Sequence, residues 1–258
     1  MDQQRLAAVA AEWADGDPDT KTAAEVRALL EKKDWKELED RFGASLEFGT
    51  AGLRGVLGGG TNRMNLAVVR RTASGLAKYL KATVPDIAQR GVLIGRDGRH
   101  MSLEFTRDSA MVFAAEGVPA HVFVDVSPTP VTAFGLAKVN AAAAVMVTAS
   151  HNPPEYNGYK VYWSNGAQIV PPHDGGIAKA IDAVGSAKSV PLMDEATARS
   201  KGLWKDVPAS VERQYLDAIL ALRPTKQTGE LSIVYTAMHG VGGRWVLAAL
   251  KEAGFKHV

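Results

Sequence analysis

The sequence predicts an α/β protein: a three-layer α/β/α domain with a mixed sheet, a helical N-terminal extension, and the start of a second, similar α/β domain. Three observations support this fold class. Apolar residues recur at helical spacing through the first 42 residues. Short buried strands then alternate with helices, which is typical of a layered α/β domain. A turn signal at residues 164–166 (SNG) separates two strand-like segments and predicts a hairpin, so the sheet should not be wholly parallel.

The N-terminal extension should contain three helices that pack against the main domain. The apolar face of the first helix is formed by Leu6, Val9 and Trp13. Residues 16–18 (GDP) interrupt the helical pattern, and residues 22–25 (TAAE) match a capping box that would start the second helix. Asp34 is suited to cap the third helix.

Helices and strands alternate in the central part of the chain. The predicted helices cover residues 68–83, 102–116 and 131–139. The predicted strands cover residues 92–95, 120–126, 141–147, 159–162 and 167–170. Residues 58–60 (GGG) lack the spacing of a nucleotide-binding P-loop and are interpreted as a flexible turn.

The last part of the chain is predicted to leave the first domain. Its expected elements are an irregular crossover at 186–208, a helix at 211–222, a linker at 223–230, a strand at 231–236 and a helix at 242–253. The predicted domains are the extension (1–45), a first domain (46–208), and a linker helix with an incomplete second domain (209–258).

Composition excludes several classes of function. The 258 residues are 46% hydrophobic and 22% charged, and the formal net charge of +2 lacks the basic bias of nucleic-acid-binding proteins. The absence of cysteine excludes disulfides and cysteine-based zinc sites. No apolar run approaches a membrane span, and the N-terminus lacks the apolar core of a signal peptide. We therefore expect a cytoplasmic protein with no membrane or nucleic-acid partner.

The most informative segment is 148–154 (TASHNPP), which directly follows the apolar run at 141–147. Proline cannot donate a hydrogen bond to a neighbouring strand, so the strand should end before the two prolines. The serine and the histidine should then be exposed in the loop at the end of this strand. Loops at strand ends are where α/β folds place their chemistry. Taken alone, the short motif is better explained by Ser150 as a turn or cap residue and His151 as a surface histidine, because short motifs give many false matches.

Residues 148–160 (TASHNPPEYNGYK) resemble the active-site loop of the α-D-phosphohexomutases, the phosphoglucomutase and phosphomannomutase family. Further segments resemble the family in the same order along the chain: 46–55 (LEFGTAGLRG), 94–102 (IGRDGRHMS) and 233–242 (IVYTAMHGVG). Residues 58–65 (GGGTNRMN) resemble the branch that contains bacterial phospho-sugar mutases and phosphopentomutase-like enzymes.

The resemblance implies an enzyme, a mutase that moves a phosphoryl group between the 1- and 6-positions of a hexose phosphate through a phosphoserine at Ser150. His151 would act as a general acid or base, because imidazoles exchange protons near neutral pH. Lys160 is implied to assist proton transfer or to bind substrate. Arg54, together with Thr50, is implied to hold a phosphate, although Arg54 also fits a surface arginine after a glycine turn.

Further roles implied by the resemblance concern the surroundings of the loop. Asn152 and Arg99 are candidate substrate-binding residues, and Asn152 is also expected to shape the loop. Arg96, Asp97 and Arg99 are expected to pair beside the site and hold its shape. His239 follows a predicted strand, and the sequence leaves open whether it is structural or faces the cleft. Mg²⁺, bound through the phosphate on Ser150, and glucose 1,6-bisphosphate as activator complete the implied site.

The sequence is interpreted as lacking the family's metal loop (DGDxD), sugar-recognition segment (GExSG) and C-terminal phosphate-binding segment (RxSGTEP). We therefore expect the N-terminal part of a phosphohexomutase, without the carboxylate metal ligands and with little activity alone. A fragment, a truncated product and one half of a split enzyme all fit this expectation. A complementing C-terminal chain would then supply the missing segments, or self-association would cover the incomplete second domain.

Two alternatives differ from the mutase in class. The chain could be a non-catalytic module that binds phosphosugars or a protein partner, with Ser150 as a regulatory phosphosite. A serine hydrolase using Ser150 and His151 is disfavoured, because the sequence has no GxSxG nucleophile elbow around them. Among substrates, the resemblance favours glucose phosphates and then pentose phosphates, and it leaves mannose and glucosamine phosphates open.

Overall fold

In the computed structural model, residues 1–50, 52–225 and 230–258 are described. The helices are α1 (Gln3–Gly16), α2 (Thr20–Lys32), α3 (Trp35–Phe42), α4 (Leu66–Thr83), α5 (Ile87–Arg90), α6 (Ser102–Ala115), α7 (Thr129–Lys138), α8 (His173–Asp182), α9 (Glu195–Ser200), α10 (Ser210–Ala221) and α11 (Gly243–Glu252). The strands are β1 (Leu53–Val56), β2 (Val92–Arg96), β3 (Ala120–Val122), β4 (Ala143–Val147), β5 (Tyr156–Trp163) and β6 (Trp204–Asp206).

Within the described ranges, the six strands form one mixed sheet in the order β1-β5-β4-β2-β3-β6. Strands β4, β2, β3 and β6 run parallel to one another, and β5 runs antiparallel to both β4 and β1. The predicted α/β fold with a mixed sheet is therefore confirmed. Because β2, β3 and β4 are parallel, the loops that follow them meet at one edge of the sheet.

Helices cover both faces of this sheet. Along β2, Val92 and Ile94 belong to the core shared with α4, α6 and α8, whereas Leu93 belongs to the core shared with α7 and α10. This alternation follows from the two-residue period of a strand. All residues of β4 are buried, as expected for the central apolar run. Among the described helices, none has both the length and the apolar character that crossing a membrane requires.

The N-terminal extension consists of α1, α2 and α3, whose shared core is Leu6, Ala10, Ala14, Val26, Leu38 and Phe42. Each helix begins after an aspartate that accepts a hydrogen bond from its first turn: Asp2, Asp19 and Asp34. The cap predicted at Asp34 is therefore confirmed. The capping box predicted at 22–25 is wrong, because α2 begins before it, at Thr20, and Thr22 instead donates to Asp17 Oδ2 at 2.5 Å.

Residues 58–60, expected to be a flexible turn, are held tightly between the extension and the domain. The Gly59 amide donates to Glu25 Oε2 at 3.0 Å, and the Gly59 carbonyl accepts a bond from Arg41 Nη1 at 3.1 Å. A Cβ at Gly59 would lie 2.6 Å from Val26 Cγ2, which is closer than real contacts allow. The prediction of a flexible turn is wrong because these glycines allow close packing between α2, α3 and the connection after β1.

The predicted hairpin is only partly correct. Strand β5 contains the first predicted segment and ends at the expected turn. The second segment, 167–170, forms an isolated bridge between Tyr162 and Gln168 instead of a strand. The sheet is mixed for a different reason, because β5 reverses direction after the loop that follows β4 and also pairs with β1.

Two predictions in the last part of the chain are wrong. The predicted crossover, 186–208, contains a 3-10 turn (Ala187–Ser189), α9 and β6, and β6 completes the sheet by pairing with β3. The described residues 231–236 form no strand, and a single bridge is present there. The predicted linker includes residues 226–229, which lie outside the described residues. The helices expected on either side form as α10, which packs on α7, and α11, which packs on α10.

Candidate active site

The candidate site lies at the edge of the sheet where the loops after β2, β3 and β4 meet. Ser150 is exposed in the loop after β4, and its backbone is left-handed with a φ of 57°. This conformation costs a non-glycine residue about 1 kcal/mol, so the surrounding contacts must hold it. One such contact is the hydrogen bond from the Ser150 amide to Thr148 Oγ1 at 2.9 Å. Local backbone strain of this kind is typical of functional loops.

The structure brings Lys160 to the hydroxyl of Ser150. Lys160 lies in β5 opposite Met146 of β4, and its Nζ donates a hydrogen bond to Ser150 Oγ at 2.7 Å. Partial burial lowers the pKa of Lys160, and the positive charge of Arg54 lowers this pKa further. The amine beside the serine therefore releases its proton more readily than an ordinary lysine does.

Arg54 joins the first motif to the serine loop. It lies in β1, the edge strand that pairs with β5, and its Nη1 donates to Asn152 Oδ1 at 2.8 Å. The Arg54 side chain is exposed, and its planar guanidinium suits the binding of an anionic group. Thr50 is exposed in the turn before β1, and the neighbouring Ala51 lies outside the described residues.

Two glycines of the motifs allow the strands of the site to approach closely. A Cβ at Gly158 would lie 2.7 Å from the carbonyl oxygens of both Leu53 and Thr148, which flank β5 on its two sides. Gly52 has a φ of 76°, and a Cβ there would lie 2.1 Å from the carbonyl oxygen of Tyr159. Larger residues at these positions would push apart the strands that carry Arg54 and Lys160.

Arg99 and Asp97 lie in the loop between β2 and α6 and form an ion pair, with 3.3 Å between Arg99 Nε and Asp97 Oδ2. The other Arg99 nitrogens donate to backbone carbonyls of the Ser150 loop. Arg96 does not join this pair. Its Nη2 donates to the Val124 carbonyl at 3.5 Å, and its buried Nε has no hydrogen-bond partner among the described residues.

A cavity of about 660 Å³ opens over Ser150. Its walls are the loops after β2, β3 and β4 and the turn before α11. His151 lines this cavity, and so does His239, whose place the sequence left open. Sequence reasoning missed the wall after β3, which includes residues 128–130. The sequence feature that could have indicated this loop is the proline-rich run SPTP, which directly follows a predicted strand.

The residues of this site do not form a metal centre by themselves. Across the described ranges, no group of three or more His, Cys, Asp or Glu side chains is arranged to hold a metal ion. Residues 15–19 (DGDPD) do match the letters of the family's metal loop, a match that the sequence reasoning overlooked, but they connect α1 to α2. There Asp17 and Asp19 accept hydrogen bonds from Thr22 and the first turn of α2. The donor set does not fit Mg²⁺.

Fold and site together define a class of protein. The Ser150 hydroxyl is hydrogen-bonded to Lys160, whose pKa is lowered, and the exposed Arg54 is hydrogen-bonded to the same loop. This combination at the edge of an α/β/α sheet is suited to transferring an anionic group.

The particular family follows from residues 45–188, which match the model described as phosphoglucomutase/phosphomannomutase, alpha/beta/alpha domain I. The chain belongs to this family, and the resemblance seen in its motifs is confirmed.

Curated relatives extend the match over almost the whole chain. The phosphopentomutase of Homo sapiens is 36% identical over 257 residues, which cover 96% of this chain and 42% of the relative. The glucose 1,6-bisphosphate synthase of Homo sapiens is 36% identical over 254 residues, which cover 95% of this chain and 41% of the relative. The chain therefore spans about two fifths of the length of these relatives.

A solved structure from Thermus thermophilus, described as a candidate phosphomannomutase, has the same fold. It superposes with a TM-score of 0.67 at 25% sequence identity, and the match covers 83% of this chain and 45% of that chain.

Proposed function

We propose that this chain carries the phosphoryl-carrier site of a phosphosugar mutase, with Ser150 as the carrier. The observation that supports this most directly is the 2.7 Å hydrogen bond between Lys160 Nζ and Ser150 Oγ. The lowered pKa of Lys160 suits it to exchange a proton with the serine oxygen. Membership of the family supports the same assignment.

In the proposed reaction, a hydroxyl of the sugar phosphate attacks the phosphorus of phosphorylated Ser150. The bond from phosphorus to Ser150 Oγ breaks and a bond to the sugar oxygen forms, which gives a sugar bisphosphate. His151 takes the proton from the attacking hydroxyl, and Lys160 returns a proton to Ser150 Oγ. In the second step, Oγ attacks the other phosphoryl group, Lys160 takes its proton, and His151 protonates the released sugar oxygen. Both proton carriers return to their starting states.

The remaining residues would bind the substrate. Arg54 is exposed near the loop and would hold the phosphate of the sugar, with Thr50 beside it. Asn152 accepts a bond from Arg54 and would place this arginine relative to Ser150. No step is assigned to Mg²⁺, because the described residues lack a cluster of the carboxylates that it prefers.

The substrate class is proposed as hexose 1- and 6-phosphates, with pentose phosphates as the second choice. Relatives are named phosphopentomutase and glucose 1,6-bisphosphate synthase, and these names support sugar phosphates generally. We also propose the domain division 1–45, 46–208 and 209–258, with a C-terminal segment or chain completing the enzyme. The separate core of α1, α2 and α3 supports the first boundary.

The test is the intact mass of the purified chain before and after exposure to glucose 1,6-bisphosphate with MgCl₂. One added phosphoryl group is expected, and it should be absent from the Ser150→Ala variant. Ser164→Ala is the matched control, because Ser164 is an exposed serine in the turn after β5 and should not alter phosphorylation. If the wild-type chain gains no phosphoryl group, the carrier role is wrong and a non-catalytic binding module becomes the better proposal.

A further inference from the structure

Arg99 uses both terminal nitrogens of its guanidinium to hold the Ser150 loop. Its side chain is only 15% exposed. One terminal nitrogen donates to the carbonyls of Pro153 and Tyr156, at 2.7 and 3.0 Å. The other donates to the carbonyls of Ser150 and Asn152, at 3.0 and 2.6 Å. The remaining Nε lies 3.3 Å from Asp97 Oδ2. Of the five N–H donors of an arginine, these hydrogen bonds occupy the four on the terminal nitrogens, and the fifth, on Nε, takes part in the ion pair with Asp97.

This arrangement leaves neither terminal nitrogen of Arg99 a free donor for a phosphate. A substrate oxygen could bind its guanidinium only if a loop carbonyl lost its partner. Arg54 differs, because it is exposed and its hydrogen bond to the loop is made to the side chain of Asn152. Arg54 is therefore suited to binding an anion, whereas Arg99 is suited to holding the loop.

The contact with the Ser150 carbonyl acts at the strained point of the loop. Ser150 has a left-handed backbone, which a serine adopts only when its surroundings impose it. Its amide is fixed by Thr148 Oγ1 and its carbonyl by Arg99. Both sides of the strained residue are thus held, which places its Oγ relative to Lys160.

Arg99 is itself held by a chain of hydrogen bonds that reaches β5. Asp97 Oδ1 accepts bonds from the Arg99 amide at 3.1 Å and from Ser102 Oγ at 2.9 Å. Ser102 Oγ in turn accepts a bond from Asn157 Nδ2 at 3.0 Å. Asn157 is fully buried in β5, the strand that also carries Lys160. The chain of bonds therefore links the serine loop to the strand of its lysine.

We infer that Arg99 is a positioning residue, which holds Ser150 in its left-handed conformation against Lys160, and is not a substrate ligand. This inference rests on the proposed function only for the role of Ser150. Arg99 acts through the loop, since all four hydrogen bonds of its guanidinium end on loop carbonyls and its charge is paired with Asp97. Lysine has three donors on one nitrogen and cannot span four carbonyls.

The experiment compares the wild-type chain with Arg99→Lys by two measurements. The first is amide hydrogen exchange in residues 150–156, which should become at least about tenfold faster, as expected when hydrogen bonds to a charged donor are lost. The second is the rate of Ser150 phosphorylation at increasing glucose 1,6-bisphosphate. The maximal rate should fall, while the half-saturating concentration should stay unchanged. A binding role would instead raise the half-saturating concentration.

Arg107→Lys is the matched control, because Arg107 is an exposed arginine on α6 and should change neither measurement. Asp97→Asn provides a second variant that keeps Arg99 but weakens its anchor, and it should show the same changes to a smaller degree. Unchanged exchange in the Arg99→Lys loop would overturn the inference, whatever the phosphorylation result. If the wild-type chain is not phosphorylated at all, the proposed function fails, while the exchange measurement still decides whether Arg99 holds the loop.

Discussion

Lys160 illustrates how a single residue acquires chemistry from its position. Burial within the edge of the sheet and the nearby charge of Arg54 both lower its pKa by disfavouring its protonated form. Its hydrogen bond with Ser150 then places an amine of lowered pKa beside the serine hydroxyl. Neither effect follows from lysine chemistry alone, because an exposed lysine with no cation nearby keeps the ordinary pKa of its side chain.

The pH dependence of Ser150 phosphorylation should report this environment. The rate is expected to pass through a maximum, because Lys160 must lack a proton to accept one from Ser150 while His151 must carry the proton that it donates. The rise with pH should lie below pH 10.5, the ordinary pKa of lysine, because the pKa of Lys160 is lowered. Lys160→Arg keeps a positive charge but cannot accept a proton in this range. It should lower the rate by about 100-fold or more and remove the rise. Intact mass at timed intervals across pH measures both effects.

Lys179→Arg is the control for this substitution, because Lys179 lies on α8 and should leave the rate and its pH profile unchanged. If Lys160→Arg keeps the wild-type profile, Lys160 serves as a fixed charge and another group accepts the proton.

At the scale of elements, the packing of α4 against α8 depends on a glycine. A Cβ at Gly75 in α4 would lie 2.6 Å from the Cα of Ile181 in α8, so the two backbones nearly touch. Gly175, in α8 itself, has nothing within 4 Å of the same position. Both residues are helical glycines, and they differ in the space around them.

The same substitution should therefore change stability in opposite directions. Gly75→Ala is expected to destabilise the protein by about 1–3 kcal/mol, because the helices must separate. Gly175→Ala is expected to stabilise it by up to about 1 kcal/mol, because alanine favours the helix. Urea unfolding measures both. Destabilisation of equal size in the two variants would show that crowding at Gly75 does not control this packing.

At the scale of the whole molecule, the extension is joined to the domain through Arg41. Its side chain is 11% exposed and pairs with Glu25 at 2.9 Å and Glu37 at 2.8 Å. It also donates to the carbonyl of Gly59, which belongs to the domain. One arginine therefore connects two helices of the extension to the connection that follows β1.

Arg41→Gln should destabilise the chain by about 1–3 kcal/mol, because partly buried carboxylates lose a charged donor. Amide exchange should accelerate most in α1, α2 and α3. Arg27→Gln is the control, since Arg27 forms an exposed ion pair with Asp15 and should change stability by less than about 1 kcal/mol. Equal effects of the two variants would contradict a special role for Arg41.

The sequence predicted local features well, and non-local ones poorly. It predicted the buried run of β4, the loop at its end and most helices, because these depend on periodicity and turn residues near one another. It missed β6, whose pairing partner β3 lies some eighty residues earlier in the chain. It also assigned a strand to residues 167–170, where the alternation is strand-like but only a single bridge forms.

By itself, the sequence determined the family and the identity of the candidate reactive serine, because both are carried by continuous motifs. Only the tertiary structure decided how the motifs cooperate. The bond from Arg54 to Asn152 joins residues 98 positions apart, and Arg99 reaches carbonyls more than 50 positions away. Such contacts depend on strand order and loop direction, which local patterns do not encode. Only the folded chain therefore shows that Arg99 holds the loop whereas Arg54 is exposed.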